Sequence, residues 1–338
     1  MQWFHDTLQV GMPHMVPGQL SEVEMLKHLG DRQWAAISAL LGRPSHEIVN
    51  DQGERLYASF LSIALSMEDR CFQHFGEGSS IRIRHAANFY AGRFVEGALL
   101  FGDADIPDER LPASLAPAAF AGCGVPHIYL TNAFVTREES NLRLRTFAPA
   151  GVNLDESATT DELPVGLREH ERVQRTGQVQ PEDWELGKAV PAMARVSNIY
   201  PIVPESDLNG AGLLYFARYV AIMNYGERLA LRSAGAVPIS CRLISFLTTV
   251  KRRLYYFANA TESDSVRVDV SVYATAIDEN AGSTTQRTPL AFDFVTDLYR
   301  VSDGALMAKS IVRKSLSVSQ RSKDVLSEAN RLRLLWEL

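Results

Sequence analysis

A polar, glycine-containing turn is the part of the sequence whose residues are best suited to chemistry. It spans residues 206–212 and includes Asp207, Asn209 and Gly210, and an apolar, aromatic-rich segment, residues 213–219, follows it. This pattern predicts the start of a helix, where the first backbone N–H groups have no acceptor within the helix and can face a ligand. Such donors stabilise a polarised carbonyl oxygen, as acyl transfer requires.

Two interpretations of the acidic residue in this turn stay open. Asp207 could act as a nucleophile or general base, with Asn209 beside it. Alternatively, Asp, Asn and Gly occur at the start of many helices because their side chains or backbones satisfy the free N–H groups there. The second interpretation needs no catalytic role.

Periodicity predicts that one order of elements occurs twice along the chain. Ser21 and Glu24 form a capping box at the start of a helix that continues to Leu41, because apolar residues recur every three or four positions. In the second half, a helix is predicted over residues 213–231. Strand-like runs follow the first helix at residues 56–65, 80–90, 92–101, 127–136 and 142–147. A strand at 195–202 precedes the second helix, and strands at 242–249, 251–260, 266–277, 291–300 and 306–315 follow it.

This repeat indicates an α+β protein with two similar halves. Residues 57–60 resemble residues 243–246, although the repeat rests mainly on the order of elements. The predicted organisation is a first domain at 1–150, an acidic, turn-rich linker with one short helix at 151–190, a second domain at 191–320 and a C-terminal tail at 321–338.

Composition excludes several classes of protein. The chain has 338 residues, of which 46% are hydrophobic and 22% charged, enough for two domains with real cores. A formal net charge of −6 argues against binding to duplex nucleic acid. Neither a leader-type pattern nor an apolar run of ~18 residues is present, so we expect a cytoplasmic protein with no membrane contact. The three cysteines lie far apart, which predicts neither disulfides nor a metal site.

Several motifs together resemble a known family. The turn at Asp207 is similar to the start of the central helix in hot-dog thioesterases. More narrowly, motifs along the whole chain resemble the double hot-dog acyltransferase/decarboxylase of leinamycin-type polyketide pathways. These motifs are Gly11-Met12-Pro13-His14-Met15, Leu20-Ser21-Glu22, Gly30-Asp31-Arg32-Gln33-Trp34, Arg55-Leu56-Tyr57-Ala58-Ser59-Phe60, Asp207-Leu208-Asn209-Gly210 and Gly212-Leu213-Leu214-Tyr215-Phe216-Ala217.

The resemblance implies a double hot-dog fold, in which each of two tandem units wraps an antiparallel sheet around a long helix. It also implies that a malonyl- or methylmalonyl-CoA thioester is decarboxylated and that the acyl group passes to an acyl carrier protein. Neither a metal nor an organic cofactor takes part in that reaction. Tyr57 matches the functional tyrosine of the family and is carried over as the catalytic residue. The implied setting is a bacterial polyketide pathway that installs a β-alkyl branch.

Two chemical roles suit Tyr57. Alternation along a strand predicts that it shares a face with Arg55, Ser59 and Leu61. The phenol could be a nucleophile that forms a tyrosyl ester, or it could donate a hydrogen bond to the substrate carboxylate or enolate. Because a phenol has a pKa near ~10, a nucleophile needs an activating neighbour, and the sequence identifies no such base. A core tyrosine with its hydroxyl bonded to a carbonyl is the structural alternative.

Decarboxylation also requires donors at the thioester oxygen and a pocket that removes water from the carboxylate. The donors could be amides near Gly18 and Gln19 in the first half, or near Gly210 in the second half. The remaining candidate substrate-binding residues are His14, Trp34, Asn132, Asp207 and Asn209.

Other functions stay open beside this one. If Asp207 activates water, the protein is an acyl-CoA or acyl-carrier-protein thioesterase; if no residue is catalytic, it is an acyl-carrier-binding module. Basic clusters such as Lys251-Arg252-Arg253 could bind a CoA phosphate or an acidic carrier protein. A homodimer is also open, because hot-dog sheets join edge to edge and two units in one chain can already satisfy that pairing.

Overall fold

The structure is a computed structural model. It describes residues 2–68, 70–120, 123–137, 144–152, 158–190, 195–233, 239–275, 287–317 and 323–336. The helices are α1 (Glu22–Leu41), α2 (Val165–Thr176), α3 (Pro204–Asp207), α4 (Phe216–Arg232), α5 (Cys241–Ser245) and α6 (Lys323–Leu335). The strands are β1 (Phe4–Gln9), β2 (Met15–Val16), β3 (Gln19–Leu20), β4 (Tyr57–Ser66), β5 (Ser80–Tyr90), β6 (Phe94–Gly102), β7 (His127–Arg137), β8 (Leu144–Thr146), β9 (Thr159–Thr160), β10 (Lys188–Ala189), β11 (Val196–Pro201), β12 (Leu247–Tyr256), β13 (Ser265–Thr275), β14 (Arg287–Arg300) and β15 (Leu306–Ser317).

One continuous path of antiparallel strands joins the two halves of the chain. Its order is β1-β5-β6-β7-β4-β12-β15-β14-β13-β10, within a 13-stranded sheet. The halves meet where residues 62–66 of β4 pair with residues 251–255 of β12. Each half therefore covers an edge strand that the other half would otherwise leave unpaired.

Helices α1 and α4 lie on one face of this sheet, here called the inner face. Helix α1 contacts β5, α4 contacts β13, and the two helices contact each other. Their buried side chains join those of both half-sheets in a single hydrophobic cluster. The molecule is therefore built from two helices, each wrapped by its own half-sheet, in the repeated order that the sequence predicts.

The sequence determines where α1 begins and ends. The Ser21 hydroxyl accepts a hydrogen bond from the N–H of Glu24 at 3.3 Å, which is half of the predicted capping box. Gly42 ends the helix with a φ of 62°, a left-handed conformation that glycine adopts without a steric cost. Between these residues, Met25 and Leu29 belong to the apolar stripe that is buried against the sheet.

Helix α2 crosses the opposite face of the sheet, here called the outer face. It belongs to the predicted linker, of which residues 153–157 lie outside the described residues, and it contacts β4, β7 and β12. Gly166 allows a close approach, because a Cβ at this position would lie 2.0 Å from the Thr131 Oγ1. Leu167 and Val173 of this helix are also buried.

The structure differs from the prediction at residues 242–249. This segment was expected to be a strand, but it contains α5, whose start is capped when the Ser240 hydroxyl accepts from the N–H of Leu243. The resemblance of residues 57–60 to residues 243–246 is therefore not structural. The strands that pair across the two halves begin at Tyr57 and at Leu247.

Elements that were not predicted include β1 and α6. Strand β1 pairs with β5, and α6 forms within the segment expected to be a tail. Val325, Ala329 and Leu332 of α6 are buried, and the helix contacts β14 and α5. None of the described helices is both long enough and apolar enough to cross a membrane.

Close packing of α4 against β13 can be tested at Gly226. A Cβ at this position would lie 2.4 Å from Cγ1 of Val268, so we expect Gly226→Ala to lower the free energy of unfolding by about 1–3 kcal/mol, although Ala favours helix. Gly76→Ala is the control, since no atom lies within 4 Å of its Cβ position, and we expect a change below about 0.5 kcal/mol. Urea unfolding measures both, and equal stability of the two variants would contradict the packing.

Candidate functional site

A cleft opens where β4 and β12 diverge. Their pairing stops at Ser62 and Tyr255, and the register of β4 against β7 shifts just after Phe60. Residues 57–61 and 256–259 then separate and, together with α1 and the start of α4, surround a volume of about 300 Å³. The lining residues with polar or small side chains are Gly30, Asp31, Trp34, Tyr57, Ala58, Ser59, Ala133, Thr146, His170, Asn209, Tyr215, Tyr219, Tyr256, Ala258 and Asn259.

Tyr57 is the first residue of β4 and lines this cleft. Ala58 and Phe60 are both buried in the core on the inner face. Because successive side chains of a strand point to opposite faces, the Tyr57 side chain projects to the other face. The guanidinium of Arg55 lies 4.9 Å from the centre of the Tyr57 ring. The phenol makes no hydrogen bond with any described residue, so it is free to meet a ligand and is not tied to a backbone carbonyl.

Two stacked aromatic rings close the inner end of the cleft. The ring centroids of Phe60 and Phe216 are 4.0 Å apart. Gly30 of α1 makes room for this stack, since a Cβ there would lie 2.4 Å from Cζ of Phe216. No function was predicted for this glycine, and its close contact with Phe216 explains why a side chain cannot occupy the position.

The predicted polar turn shapes the wall beside α4. Asn209 lines the cleft, and its Oδ1 accepts hydrogen bonds from the N–H groups of Ala211 at 2.9 Å and Leu213 at 3.1 Å. Asn259, on the other side of the opening, accepts from the N–H of Leu214 at 2.8 Å. These amide side chains fix the turn that leads into the helix.

The first turn of α4 provides free donors. Tyr215 is the residue before the helix, and no side chain caps this end. The N–H groups of Phe216 and Ala217 have no acceptor among the described residues. Together with the positive end of the helix dipole, they can stabilise an oxyanion placed at the start of the helix.

Asp207 lies behind this turn and does not line the cleft. Its side chain is completely buried. One carboxylate oxygen accepts from Nε of Arg218 at 2.8 Å and from the hydroxyl of Tyr200 at 3.3 Å, and the other accepts from the N–H of Val203 at 2.8 Å. The carboxylate therefore holds the segment before α4 in place, and it bonds the backbone N–H before α3 rather than the start of α4.

The structure separates the other predicted binding residues. Trp34 lines the cleft, and Gly210 lies next to Asn209 on the exposed side of the turn. Asn132 is not a lining residue: it is buried beneath α1, where its Oδ1 accepts from Nε2 of Gln33 at 3.4 Å. His14, Gly18 and Gln19 lie before α1, away from this cleft.

A second cleft, of about 360 Å³, occupies the other end of the β4–β12 pairing. It lies between the start of α1 and the middle of α4, so it mirrors the first cleft between the start of α4 and the middle of α1. Gln19 lines it and donates from Nε2 to the carbonyl oxygen of Leu247 at 3.1 Å. Gly18 forms the β2–β3 turn with a φ of 80°, and Nδ1 of His14 accepts from the N–H of Gly11 at 3.0 Å.

Buried ion pairs fill the polar part of this second cleft. Glu22, the first residue of α1, accepts from Nε of Arg252 at 2.7 Å and from the hydroxyl of Thr249 at 2.7 Å. Arg252 is completely buried and also lies 3.7 Å from Glu227, which Lys314 contacts in turn. Burial would raise the pKa of Glu22, but the charge and hydrogen bonds of Arg252 outweigh it, so the pKa lies below its ordinary value of 4.5. The protein's own carboxylate thus occupies the helix start where a ligand anion would bind.

His170 of α2 lines the first cleft and was not predicted as a site residue. Its Nε2 lies 2.7 Å from the carbonyl oxygen of Tyr256, so Nε2 carries the proton and Nδ1 keeps its lone pair. Burial lowers the pKa of this imidazole below 6.5 and keeps it neutral near pH 7. A lone histidine in a linker helix gave no signal, because its position depends on where α2 crosses the sheet.

Comparison with known proteins gives the fold but not a family. No family model matches the chain, and no curated protein does. Among solved structures, an acyl-ACP thioesterase from Bacteroides thetaiotaomicron shares 11% identity and a TM-score of 0.50, covering 92% of this chain and 97% of its own. The chain has the double hot-dog fold. This confirms the predicted α+β architecture of two tandem units.

Two other thioesterases with this fold are similar over nearly their whole length. A putative oleoyl thioesterase from Lactobacillus plantarum has a TM-score of 0.57 at 10% identity, over 94% of this chain and 96% of its own. The 12:0-ACP thioesterase of Umbellularia californica has a TM-score of 0.52 at 12% identity, over 92% of this chain and 93% of its own. At these identities the similarity establishes the double hot-dog architecture alone.

The structural role of the buried ion pairs can be tested at Glu22. Because its carboxylate holds Arg252, we expect Glu22→Gln to lower the free energy of unfolding at pH 7 by about 3 kcal/mol or more. Since the pKa of Glu22 is lowered by folding, this contribution is present above pH 4.5 and is lost as the pH falls through the folded value. The difference from wild type should therefore shrink in acid.

The matched control is Glu24→Gln, which alters a half-exposed carboxylate of the same helix turn that pairs with Lys27. We expect a change below about 1 kcal/mol for this variant. Chemical unfolding at pH 7 and at pH 3.5 gives the comparison. A Glu22→Gln effect as small as the control, or one that grows in acid, would show that the ion pairs do not stabilise the fold.

Proposed function

We propose that this protein decarboxylates a malonyl- or methylmalonyl-type CoA thioester and transfers the resulting acyl group to an acyl carrier protein in polyketide biosynthesis. The observation that carries the proposal is the free phenol of Tyr57 in the same cleft as the open start of α4. The whole-chain motif resemblance supports this choice of reaction. The similar structures include acyl-ACP thioesterases, which supports thioester substrates in general.

The cleft can meet both requirements of the reaction. The thioester oxygen would accept hydrogen bonds from the N–H groups of Phe216 and Ala217. The bond to the substrate carboxylate then breaks, carbon dioxide leaves, and its electron pair forms an enolate whose oxygen these donors stabilise. Protonation of the α-carbon gives the acyl group. The carrier thiol then replaces the CoA sulfur at the acyl carbonyl, either directly or through the Tyr57 oxygen. The bond to the CoA sulfur breaks, and CoA leaves as a thiol with the proton that the attacking group gives up.

The size of the cleft supports a short acyl group. Its volume of about 300 Å³ is at the lower end of the range for ligand pockets. The stacked rings of Phe60 and Phe216 close it at the inner end, and their apolar surface would remove water from a substrate carboxylate. A long acyl chain would have to displace this stack.

Hydrolysis is the second candidate function, favoured by the thioesterase architecture of the similar structures. In the version that relies on Asp207, this carboxylate would activate water. Its oxygens already accept hydrogen bonds from Arg218, Tyr200 and Val203, so these bonds would have to break before Asp207 could activate water. A non-catalytic carrier-binding module is the third candidate, and it predicts binding without turnover.

Intact-protein mass spectrometry tests the reaction through Tyr57. Wild type is incubated with malonyl-CoA and methylmalonyl-CoA, with and without a phosphopantetheinylated carrier protein. We expect the carrier to gain an acyl group that has lost carbon dioxide. Tyr57→Phe removes only the phenolic oxygen, and we expect it to slow this loading by about 100-fold or more. Acylation of wild type that disappears in the variant would identify Tyr57 as the nucleophile.

Tyr90→Phe is the matched control, because Tyr90 is also a half-buried strand tyrosine but does not line the cleft. We expect it to load the carrier at the wild-type rate. Hydrolysis of the CoA thioesters without loading would favour the thioesterase. Carrier binding with no turnover would favour the binding module, and full activity of Tyr57→Phe would remove Tyr57 from the mechanism.

We further infer that His170 is the base that accepts the proton of the attacking group in the transfer step, either the Tyr57 phenol or the carrier thiol. Since folding lowers its pKa below 6.5, we expect kcat/KM to be independent of pH just above neutrality and to fall in acid as the imidazole becomes protonated. His170→Gln should lower kcat/KM by about 100-fold and abolish the acid limb. His46→Gln, at an exposed histidine, is the control. An unchanged acid limb in His170→Gln would assign the titration to another group.

A further inference from the structure

A separate cavity lies on the outer face of the sheet. Its volume is about 1120 Å³, more than three times that of the Tyr57 cleft. Helix α2 forms one wall, with Glu169 and Arg172 facing the space, and the segment after this helix, residues 177–183, forms another. The cavity exists because α2 touches the sheet at Gly166 and the chain then turns back above the strands.

The base of the cavity is a row of residues that lie side by side on neighbouring strands. Ala98 of β6 is opposite Tyr129 of β7, Tyr129 is opposite Ala64 of β4, and Ala64 is opposite Arg253 of β12. Neighbouring strands are about 4.8 Å apart, so the backbones of Tyr129 and Arg253 are roughly 10 Å apart. The side chain between them is only the methyl group of Ala64. This spacing leaves a hollow that a small polar group can enter.

Arg253 brings an unpaired positive charge to this hollow. Its guanidinium makes neither a hydrogen bond nor an ion pair with any described residue, although it is half-buried. The other cations that line the cavity are paired, Arg172 with Glu169 and Lys309 with Asp297. The acidic residues on the wall after α2 are the exposed Glu182 and Asp183, and Asp183 pairs with Lys251 outside the cavity. The charge that lacks a partner is therefore at the base.

A second unpartnered group lies beside it. Tyr129 is only 5% exposed, and its hydroxyl is buried without a hydrogen-bond partner. A buried hydroxyl that lacks a partner costs stability unless a ligand or water bonds to it. The adjacent His127 donates from Nδ1 to the carbonyl oxygen of Val125 at 3.0 Å, so it does not supply that partner.

Apolar side chains surround the rest of the space. Pro117 and Phe120 lie on one side, and Val165 and Val179 lie on the other.

We propose that this cavity binds an organic anion with an apolar tail, whose charged group lies between the guanidinium of Arg253 and the hydroxyl of Tyr129. A carboxylate or a phosphate can accept both hydrogen bonds. The proposal does not depend on the reaction in the Tyr57 cleft, because the two spaces open on different parts of the sheet.

Isothermal titration calorimetry of the full-length protein tests this site, with dodecanoate below its micellar concentration as the probe. We expect one binding site per chain. Arg253→Gln should weaken binding by about tenfold or more, because a charged hydrogen bond is lost. Ala64→Leu fills the hollow and should abolish binding. Arg267→Gln is the control, since it removes an exposed guanidinium of β13 far from the cavity, and it should bind as wild type does.

Further titrations identify the chemistry that is recognised. Dodecyl phosphate in place of dodecanoate distinguishes a phosphate site from a carboxylate site, and dodecanol tests whether the charge matters. Ser59→Trp obstructs the Tyr57 cleft and should leave dodecanoate binding intact. Circular dichroism tests whether each variant is folded. If Ala64→Leu does not fold, the binding of dodecanoate to Arg253→Gln tests the proposal by itself.

Several results would overturn the proposal. The proposal is wrong if neither dodecanoate nor dodecyl phosphate binds, or if dodecanol binds as tightly as dodecanoate. It is also wrong if Arg253→Gln binds dodecanoate as tightly as wild type, or if Ser59→Trp no longer binds it. The last result would place the probe in the Tyr57 cleft.

Discussion

The pairing of β4 with β12 is the constraint on which the rest of the structure depends. Only residues 62–66 and 251–255 pair across this edge, while β7 pairs with the other edge of β4 and β15 with the other edge of β12. This short antiparallel contact unites two half-sheets and brings α1 and α4 side by side. Where the strands part at each end, the sheet cannot close, and a cleft forms beside the start of one helix.

The two clefts are equivalent in position but opposite in chemistry. At the start of α1, Glu22 and Arg252 satisfy each other in a buried pair, so the site of a ligand anion is already occupied by the protein. At the start of α4, the corresponding first residue is Phe216, which has no charge, and its amide is free. Removing one partner of the buried pair would leave the other charge uncompensated, whereas the free amides at the start of α4 are available for binding.

Much of this could be predicted from local sequence signals. Ser21 and the apolar periodicity gave α1, and the polar turn gave the start of α4, because caps and helix periods act over a few residues. The partners across the chain could not be predicted. In Lys251-Arg252-Arg253, alternation in a strand turns the middle residue inward, but only the distant Glu22 explains why an arginine is tolerated there.

The candidate site shows the same division between local and distant information. Tyr57 and Asn209, which line the cleft, could be predicted as site residues because each belongs to a motif in continuous sequence. Asn132 was expected to face a ligand as a polar residue in an apolar strand, yet Gln33 from α1 lies against it, and this contact is not encoded in either segment alone. His170 was missed for the same reason, since α2 reaches the cleft only by crossing the outer face.

Helix α2 connects the two spaces that could hold small molecules. His170 lines the Tyr57 cleft, whereas its neighbour Glu169 lines the outer cavity. The helix lines both spaces because Gly166 allows its backbone to pack closely against Thr131, and because Nε2 of His170 donates a hydrogen bond to the carbonyl oxygen of Tyr256. Protein interiors are too densely packed for one side of such a helix to move while the other stays fixed. The position of α2 on the sheet therefore sets the geometry of the His170 imidazole and the width of the outer cavity together.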